Sequence, residues 1–320
     1  MSEKNIRCFF IFTFIIFIGA IHFVQAEGQP IIAVFKSRNV TPFNIALEGF
    51  TNVFKQKGIK PQYITLDFAG TEAENYRAAK KIIEKKPDLI LALGSLATEI
   101  AKNSTTDIPV VFSLVLNPVM LRFVDSLESS GNNLTGAAMD LSVKDQFTNI
   151  KQVIPNAQKI GVLYNPKETE FLIDEAAKTV QEMGLVLVAK KVYSEKNVPE
   201  ALEELLKEID VLWGVADGTI FTLQATQFII LTTLRHRKPF MGLSAGYVKA
   251  GALFSISYDL EDIGRQSGEL AAAVLSGKMP RELPVTLPRK LYLSVNRRTA
   301  KQIGIEIPEQ ILKAARDIFE

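Results

Sequence analysis

Two stretches of this chain repeat the same alternation of buried-strand and helix patterns, and this repeat limits the possible folds more than any other feature. A short continuous apolar run predicts a buried strand at residues 31–35, and further strands are predicted at residues 62–66, 89–93 and 110–114. Amphipathic segments between them predict helices, including residues 43–56 and 75–85. Strands that alternate with helices predict an open parallel sheet covered by helices.

Four landmarks of the first half recur in order, each about 120 to 130 residues later. They are the strands at 32–35 and 160–163, the helix ends at Gly58 and Gly184, the strands starting at Leu89 and Val211, and the prolines Pro109 and Pro239 before a strand. A chance likeness between βα units is the alternative interpretation. The ordered set predicts an α/β fold of two similar doubly wound parallel-sheet lobes, with a ligand cleft between facing strand ends.

The expected boundaries follow from this repeat. The first lobe is predicted to hold residues 29–140 and about 258–283. The second lobe is predicted to hold residues 141–257 and about 284–320, so that the chain crosses between the lobes several times.

The first 26 residues have the layout of a secretory signal. Lys4 and Arg7 precede an apolar run at residues 8–21, and the small residues Val24 and Ala26 suit a cut after about Ala26. The run is shorter than the roughly 20 residues of a membrane-spanning helix, although an uncleaved anchor is the alternative. We therefore expect a periplasmic protein.

Composition argues against most catalytic chemistry. The only cysteine lies in the predicted signal, as does one of the two histidines, which leaves His236. A cysteine nucleophile and a zinc site of His and Cys are excluded, and the common glycine-rich phosphate motifs are absent from the sequence. The net charge of +2 disfavours a nucleic-acid partner. We expect no enzyme, cofactor or metal, while an exported hydrolase that uses carboxylates remains an alternative.

Polar residues follow the predicted strands, where an open sheet binds its ligands. Gly94 and Ser95 follow the strand at 89–93 and begin a helix, so they can meet a ligand carboxylate or form an ordinary helix cap. Tyr164, Asn165 and Asp217 occupy corresponding strand ends in the second half. Asp217 can bind a ligand ammonium or cap the following helix.

Motifs along the chain then suggest a family. They are IPVVF at 108–112 with Asn117-Pro118-Val119, NNLTG at 132–136, GALFS at 251–255 with Tyr258-Asp259 and Gly264, LSGKMP at 275–280, Asn296, and GIEIP at 304–308. Their order resembles that of the ABC-transporter substrate-binding proteins of the tryptophan/tyrosine-transporter type, which have the type I periplasmic-binding fold.

The resemblance implies ligand-binding positions in the first loop, at Gly94-Ser95, at Asn117, and at Asp217 and Ser244 across the cleft. The first loop contributes Lys36, Ser37 and Arg38. It lacks the His-Pro-like stretch of the family, and Asn117 replaces the usual Asp. These differences leave the aromatic amino acids in question as ligands. The basic residues of the first loop favour an anionic ligand, unless they are solvated surface charges.

The predicted function is capture of a small solute by hinge closure, with an amino acid as one candidate. The resemblance implies delivery to an ABC permease in the membrane, by a protein that we expect to be a monomer. A sensory protein that presents its ligand to a membrane receptor is the first alternative, and the exported hydrolase is the second.

Overall fold

The computed structural model describes residues 29–320, so the predicted signal peptide lies outside the described residues. The first sheet has the strand order β2-β1-β3-β4-β5, and all its strands are parallel. Its strands are β1 (Ile31–Lys36), β2 (Gln62–Asp67), β3 (Leu89–Leu93), β4 (Val110–Val115) and β5 (Leu134–Ala138). The helices between them are α1 (Thr41–Gln56), α2 (Glu72–Ile83) and α3 (Ser95–Ser104).

The second sheet has the strand order β12-β11-β10-β9-β8-β6-β7. Its strands are β6 (Lys159–Tyr164), β7 (Val186–Lys191), β8 (Val211–Trp213), β9 (Phe240–Gly242), β10 (Phe254–Tyr258), β11 (Leu291–Asn296) and β12 (Asp317–Phe319). The helices of this part are α4 (Val143–Val153), α5 (Pro166–Met183), α6 (Val198–Leu205), α7 (Leu223–Arg235), α8 (Ala245–Ala250), α10 (Arg297–Ile303) and α11 (Glu309–Ala314). One further helix, α9 (Leu260–Leu275), and short 3₁₀ turns at Glu195–Asn197 and Pro280–Glu282 complete the chain.

The two lobes share one strand order, which confirms the predicted two-lobed α/β fold. Strands β6 to β10 have the same neighbours in the second sheet as β1 to β5 have in the first. The paired landmarks at 32–35 and 160–163 therefore lie in the equivalent strands β1 and β6.

Burial on both faces explains the continuous apolar strands. In β1, Ile32 and Val34 pack into one core of the first lobe, while Ala33 and Phe35 pack into the core on the opposite face. A strand whose alternate residues both meet a core cannot show a polar–apolar alternation. The sequence pattern is thus a direct consequence of the helices on both faces of the sheet.

Strand β11 departs from the expected parallel arrangement. It runs antiparallel to β10, and its first residue, Leu291, pairs with Tyr258 at the end of β10. The chain leaves the second lobe at the end of β10 and re-enters it next to the same point. Strand β11 therefore starts beside the end of β10 and runs in the opposite direction. No helix within residues 29–320 is long and apolar enough to cross a membrane.

Helix α9 belongs to the first lobe although it follows a strand of the second. Glycines allow it to approach α1 closely, since a Cβ on Gly264 would lie 1.9 Å from the Ala46 carbonyl oxygen. A Cβ on Gly49 would lie 2.0 Å from the Glu261 carbonyl oxygen. The chain then follows β5, where Thr286 bridges Ala137, before it returns to the second sheet.

The chain passes between the lobes after β5, after β10 and before β11. We call these segments, residues 139–142, 259 and 288–290, the three crossovers. The second and third crossovers lie side by side, since the Asp259 N–H donates to the Lys290 carbonyl oxygen at 3.2 Å.

Candidate ligand-binding cleft

A cavity of about 510 Å³ lies between the two lobes, beside the crossovers. The first lobe contributes residues 116–120, after β4, and the crossover at 139–142 contributes its whole length. The second lobe contributes α5, the segment 214–216, which follows β8, and the segment 241–243, at the end of β9. A cavity of this size between the carboxyl ends of parallel strands suits a small organic ligand.

The loop after β4 presents apolar side chains to the cavity. Leu116, Val119 and Met120 line it and are between 38% and 52% exposed. Leu114 and Asn117 have φ angles of 57° and 53°, a region that non-glycine residues adopt rarely. Such backbone strain clusters at ligand sites, because the surrounding structure must hold it.

Helix α5 forms the opposite wall. Thr169, Phe171, Leu172 and Glu175 line the cavity from this helix, and Phe171 is 42% exposed. The helix is interrupted at Thr169, where φ is −133° and ψ is 15°. The interruption sets the direction in which the following turns face the cavity.

Asp217 fixes the start of α5. Its Oδ2 accepts hydrogen bonds from the Asn165 N–H and the Thr169 hydroxyl, both at 2.7 Å. Its Oδ1 accepts from the N–H groups of Thr219 and Ile220, at 3.0 and 3.2 Å. The carboxylate is only 2% exposed, so its hydrogen bonds with the protein hold the kinked turn in place.

Asp140 follows β5 and lies in the first crossover. Both of its carboxylate oxygens accept from the Asn117 N–H, at 3.0 and 3.1 Å. Burial, with a smaller contribution from the negative charge of Glu175, raises the pKa of Asp140 to about 6, although the hydrogen bond from the Asn117 N–H acts in the opposite direction. Burial likewise raises the pKa of Tyr258, with a smaller contribution from the charge of Asp140.

The predicted residues of the first loop have different surroundings, and only Ser37 contacts the start of α3. Lys36 forms an ion pair with Asp67 at 2.9 Å, and the Ser37 hydroxyl accepts from the Ala97 N–H at 3.0 Å. Arg38 is exposed. We conclude that Lys36 and Ser37 already have protein partners in this structure.

Gly94 and Ser95 lie beside this group. Gly94 has a φ of 86°, and a Cβ there would approach the Ser37 hydroxyl to 2.8 Å, so glycine is required for the close contact. Ser95 is exposed at the first position of α3.

In the second lobe, Tyr164 is buried in the core, and Asn165 caps α5 by accepting from the Lys167 N–H at 3.0 Å. Ser244 is exposed at the start of α8. Asn117 is the predicted binding residue that lines the cavity. The structure thus gathers the predicted residues into separate groups along the strand ends, and their roles in binding remain predictions.

Sequence reasoning missed Asp140, Glu175, Phe171 and Met120, which line the cavity. Asp140 carries the signal used for other residues, since it follows a strand. Glu175 and Phe171 lie within α5, where nothing in the sequence distinguishes the cavity-facing turns.

Comparisons with known proteins agree with this architecture. The model of a family described as ABC transporter substrate binding protein matches residues 33–319. A tyrosine-binding protein of Clostridioides difficile (strain R20291) is 30% identical over 267 residues, which cover 82% of this chain and 77% of that protein.

Solved structures show the same fold. A conserved domain protein from Vibrio cholerae is 27% identical, with a TM-score of 0.60 and coverage of 91% of this chain and all of that one. The ligand-free, open structure of a substrate binding protein with adhesive properties from Clostridium difficile is 24% identical, with a TM-score of 0.77 and coverage of 91% and 99%. An ABC domain in complex with L-Trp from Streptococcus pneumonia is 22% identical, with a TM-score of 0.61 and coverage of 91% and 100%.

Proposed function

This chain belongs to the family of ABC transporter substrate-binding proteins, and from that premise we propose that it captures an amino acid and delivers it to an ABC importer. The cavity between the lobes carries the proposal, because its walls come from both lobes and from the first crossover. The tyrosine-binding relative supports an amino acid as the ligand.

Hinge closure is the mechanism that we propose. The three crossovers are short, so a few backbone rotations within them can bring the lobes together around a ligand. Closure would move Phe171 on α5 towards Val119 and Met120 on the other wall and remove their exposed apolar surface from water. The ligand completes the contact and thereby shifts the population towards the closed form.

The family is typically extracytoplasmic, and we propose that the mature protein begins after about Ala26 and acts in the periplasm. We further propose that it is a monomer without enzymatic activity or a nucleic-acid partner. The closed lobes would present their surfaces to the permease, which then receives the solute.

Binding is tested with a thermal-shift screen of the amino acids and small anions, followed by calorimetry. A ligand of the folded state raises the melting temperature through linkage. The variant Ala216→Trp should abolish the rise, because Ala216 is exposed within the cavity wall. Ala73→Trp, at an exposed position of α2 away from the cavity, is the matched control. If no amino acid raises the melting temperature and native mass spectrometry finds no bound solute, the proposal is wrong.

Delivery is tested separately by uptake of the identified ligand in cells that lack the gene. Loss of uptake is the expected result. Unchanged uptake together with loss of a ligand-dependent response would instead support a sensory role.

A further inference from the structure

The charges of the cavity lining have one sign. Among residues 29–320, the charged side chains that line the cavity are Asp140 and Glu175, and neither forms an ion pair in this part of the chain. They come from different sides, since Asp140 belongs to the first crossover and Glu175 to α5. The charge of Glu175 acts directly on Asp140, so the two carboxylates share one electrostatic environment.

We propose that Asp140 and Glu175 form a subsite for the ammonium group of the ligand, and that the cleft therefore accepts apolar primary amines that lack a carboxylate. The inference rests on the proposed function and specifies the ligand chemistry of the same cavity. A cation between two carboxylates removes the repulsion that would otherwise oppose closure of the lobes.

Most of the remaining polar side chains of the lining have partners within the protein, and the Tyr258 hydroxyl donates to the Met139 sulfur at 3.4 Å. The Gln146 side-chain oxygen accepts from the Trp213 indole N–H at 2.7 Å, and the Thr169 hydroxyl donates to Asp217. The Ser142 hydroxyl donates to Asp145 at 2.7 Å. These groups line the cavity, yet their hydrogen bonds are made within the protein.

The backbone donor that faces the Asp140 carboxylate is occupied by it. The N–H of Asn117 donates to Asp140, which leaves the Asn117 side chain as a neutral hydrogen-bonding group at this wall. A carboxylate placed here would meet two negative charges without a cationic partner. The geometry thus favours a ligand whose charged end is positive.

The rest of the lining requires that the cation carry an apolar body. Most other side chains of the cavity are apolar, including Phe171, Met120 and Leu243. A volume of about 510 Å³ far exceeds that of a hydrated metal ion and falls within the range of pockets for organic ligands. A primary amine with an aromatic or branched substituent satisfies both the charge and the apolar lining.

The experiment compares three matched sets of ligands by isothermal titration calorimetry: amino acids, their decarboxylated amines, and their deaminated acids. For the tyrosine set the probes are L-tyrosine, tyramine and 3-(4-hydroxyphenyl)propionate, and the phenylalanine, tryptophan and leucine sets are built in the same way. We expect the amine of the best amino acid to bind with a dissociation constant within about tenfold of it, because the ammonium supplies the charged contact. The matching acid should not bind measurably.

Two variants test the residues. Asp140→Asn and Glu175→Gln should each weaken binding of the amine by about tenfold or more, which is the usual effect of removing a charged hydrogen-bond partner. Asp174→Asn is the matched control, because Asp174 is exposed on α5 next to Glu175 and does not line the cavity. Circular dichroism and melting curves confirm that each variant is folded.

The outcomes separate the two proposals. If amino acids bind but their amines do not, or if the deaminated acids bind equally well, the ammonium subsite is wrong while the amino-acid function stands. Unchanged amine affinity in both folded variants overturns the subsite in the same way. If no member of any set binds, the amino-acid proposal itself fails and the subsite fails with it.

Discussion

At the scale of single residues, Asp217 is expected to make a large contribution to stability. Its buried carboxylate satisfies four donors around the start of α5. In Asp217→Ala these donors lose their acceptor, so we expect the free energy of unfolding to fall by about 3 kcal/mol. Urea denaturation of the ligand-free protein measures the change.

The exposed Asp174, on the same helix, supplies a control for Asp217. Asp174→Ala should alter the free energy of unfolding by no more than about 0.5 kcal/mol. Equal stability of the two variants would contradict a structural role for the Asp217 hydrogen bonds.

Asp140 in its ionised form, unlike Asp217, should lower the stability of the folded protein. Because the folded-state pKa of Asp140 is about 6, against an ordinary value of 3.8, the folded protein holds a proton between these values that the unfolded chain has released. The contribution of Asp140 to stability therefore falls as the pH rises through this window. Asp140→Asn removes this loss, so the ligand-free variant should melt above the wild type at pH 8 and equally at pH 4.

Differential scanning fluorimetry from pH 4 to pH 8 measures this difference. Glu175 and Tyr258 are the titratable groups whose charge is coupled to that of Asp140, and Asp174→Asn again serves as the control. A difference in melting temperature that does not change with pH would refute the raised pKa.

The sequence predicts residues at strand ends better than residues within helices. Asn117 was predicted from its position after β4, and Asp140 follows β5 in the same way. Glu175 and Phe171 depend on how the interruption at Thr169 orients α5. That interruption depends on Asp217, which is distant in sequence, so no local pattern reveals which turns face the cavity.

At the scale of whole elements, the close contact between α1 and α9 allows a stringent test of packing. A methyl group on Gly264 would overlap the Ala46 carbonyl oxygen of α1, and backbone atoms cannot move aside as a flexible side chain does. We expect Gly264→Ala to lower the free energy of unfolding by about 3 kcal/mol, at the upper end of overpacking effects. Thermal and urea denaturation measure the loss.

Gly246 in α8 provides the comparison. A Cβ there would meet only the Ser244 hydroxyl oxygen at 3.5 Å, an ordinary contact. Gly246→Ala should be neutral or raise the free energy of unfolding by up to about 1 kcal/mol, since alanine favours the helix. If both glycine variants behave alike, close approach of the backbones does not explain Gly264.

Elements buried on both faces were predicted well, because a short continuous apolar run between turn residues is typical of a strand covered on both sides. The predicted strand at 89–93 agrees with β3. The direction of β11 was not predicted, since its residues fit either direction and the position of the third crossover decides between them.

At the scale of the whole molecule, an ion cluster joins the third crossover to helix α9. Arg289 contacts the buried Asp262 at 2.9 Å and Glu269 at 2.9 Å, and Lys290 lies 3.5 Å from Asp262. Asp262 belongs to the first turn of α9, while Arg289 and Lys290 precede β11. The cluster therefore ties the start of α9 to the third crossover.

Arg289→Gln should lower the free energy of unfolding by about 2 kcal/mol. Removing the partner of a buried carboxylate normally lowers the free energy of unfolding by more than this. Here the loss is smaller, because Lys290 and Arg265 remain within 4 Å of Asp262. Urea denaturation in low and high salt measures the effect. Arg297→Gln, which breaks only the exposed pair with Glu320, should change the stability by less than about 1 kcal/mol. Equal losses in the two variants would mean that the cluster does not stabilise the third crossover.

The return of the chain to the first lobe also determines when that lobe can be completed during synthesis. The sheet of that lobe is complete at Ala138, but the α1 face that packs on α9 stays uncovered until residue 275 has been made. In a nascent chain that ends before residue 260, the first lobe therefore lacks α9, and the face of α1 that packs on α9 stays exposed to solvent. The half that the ribosome makes first is therefore completed only after most of the second half has been made.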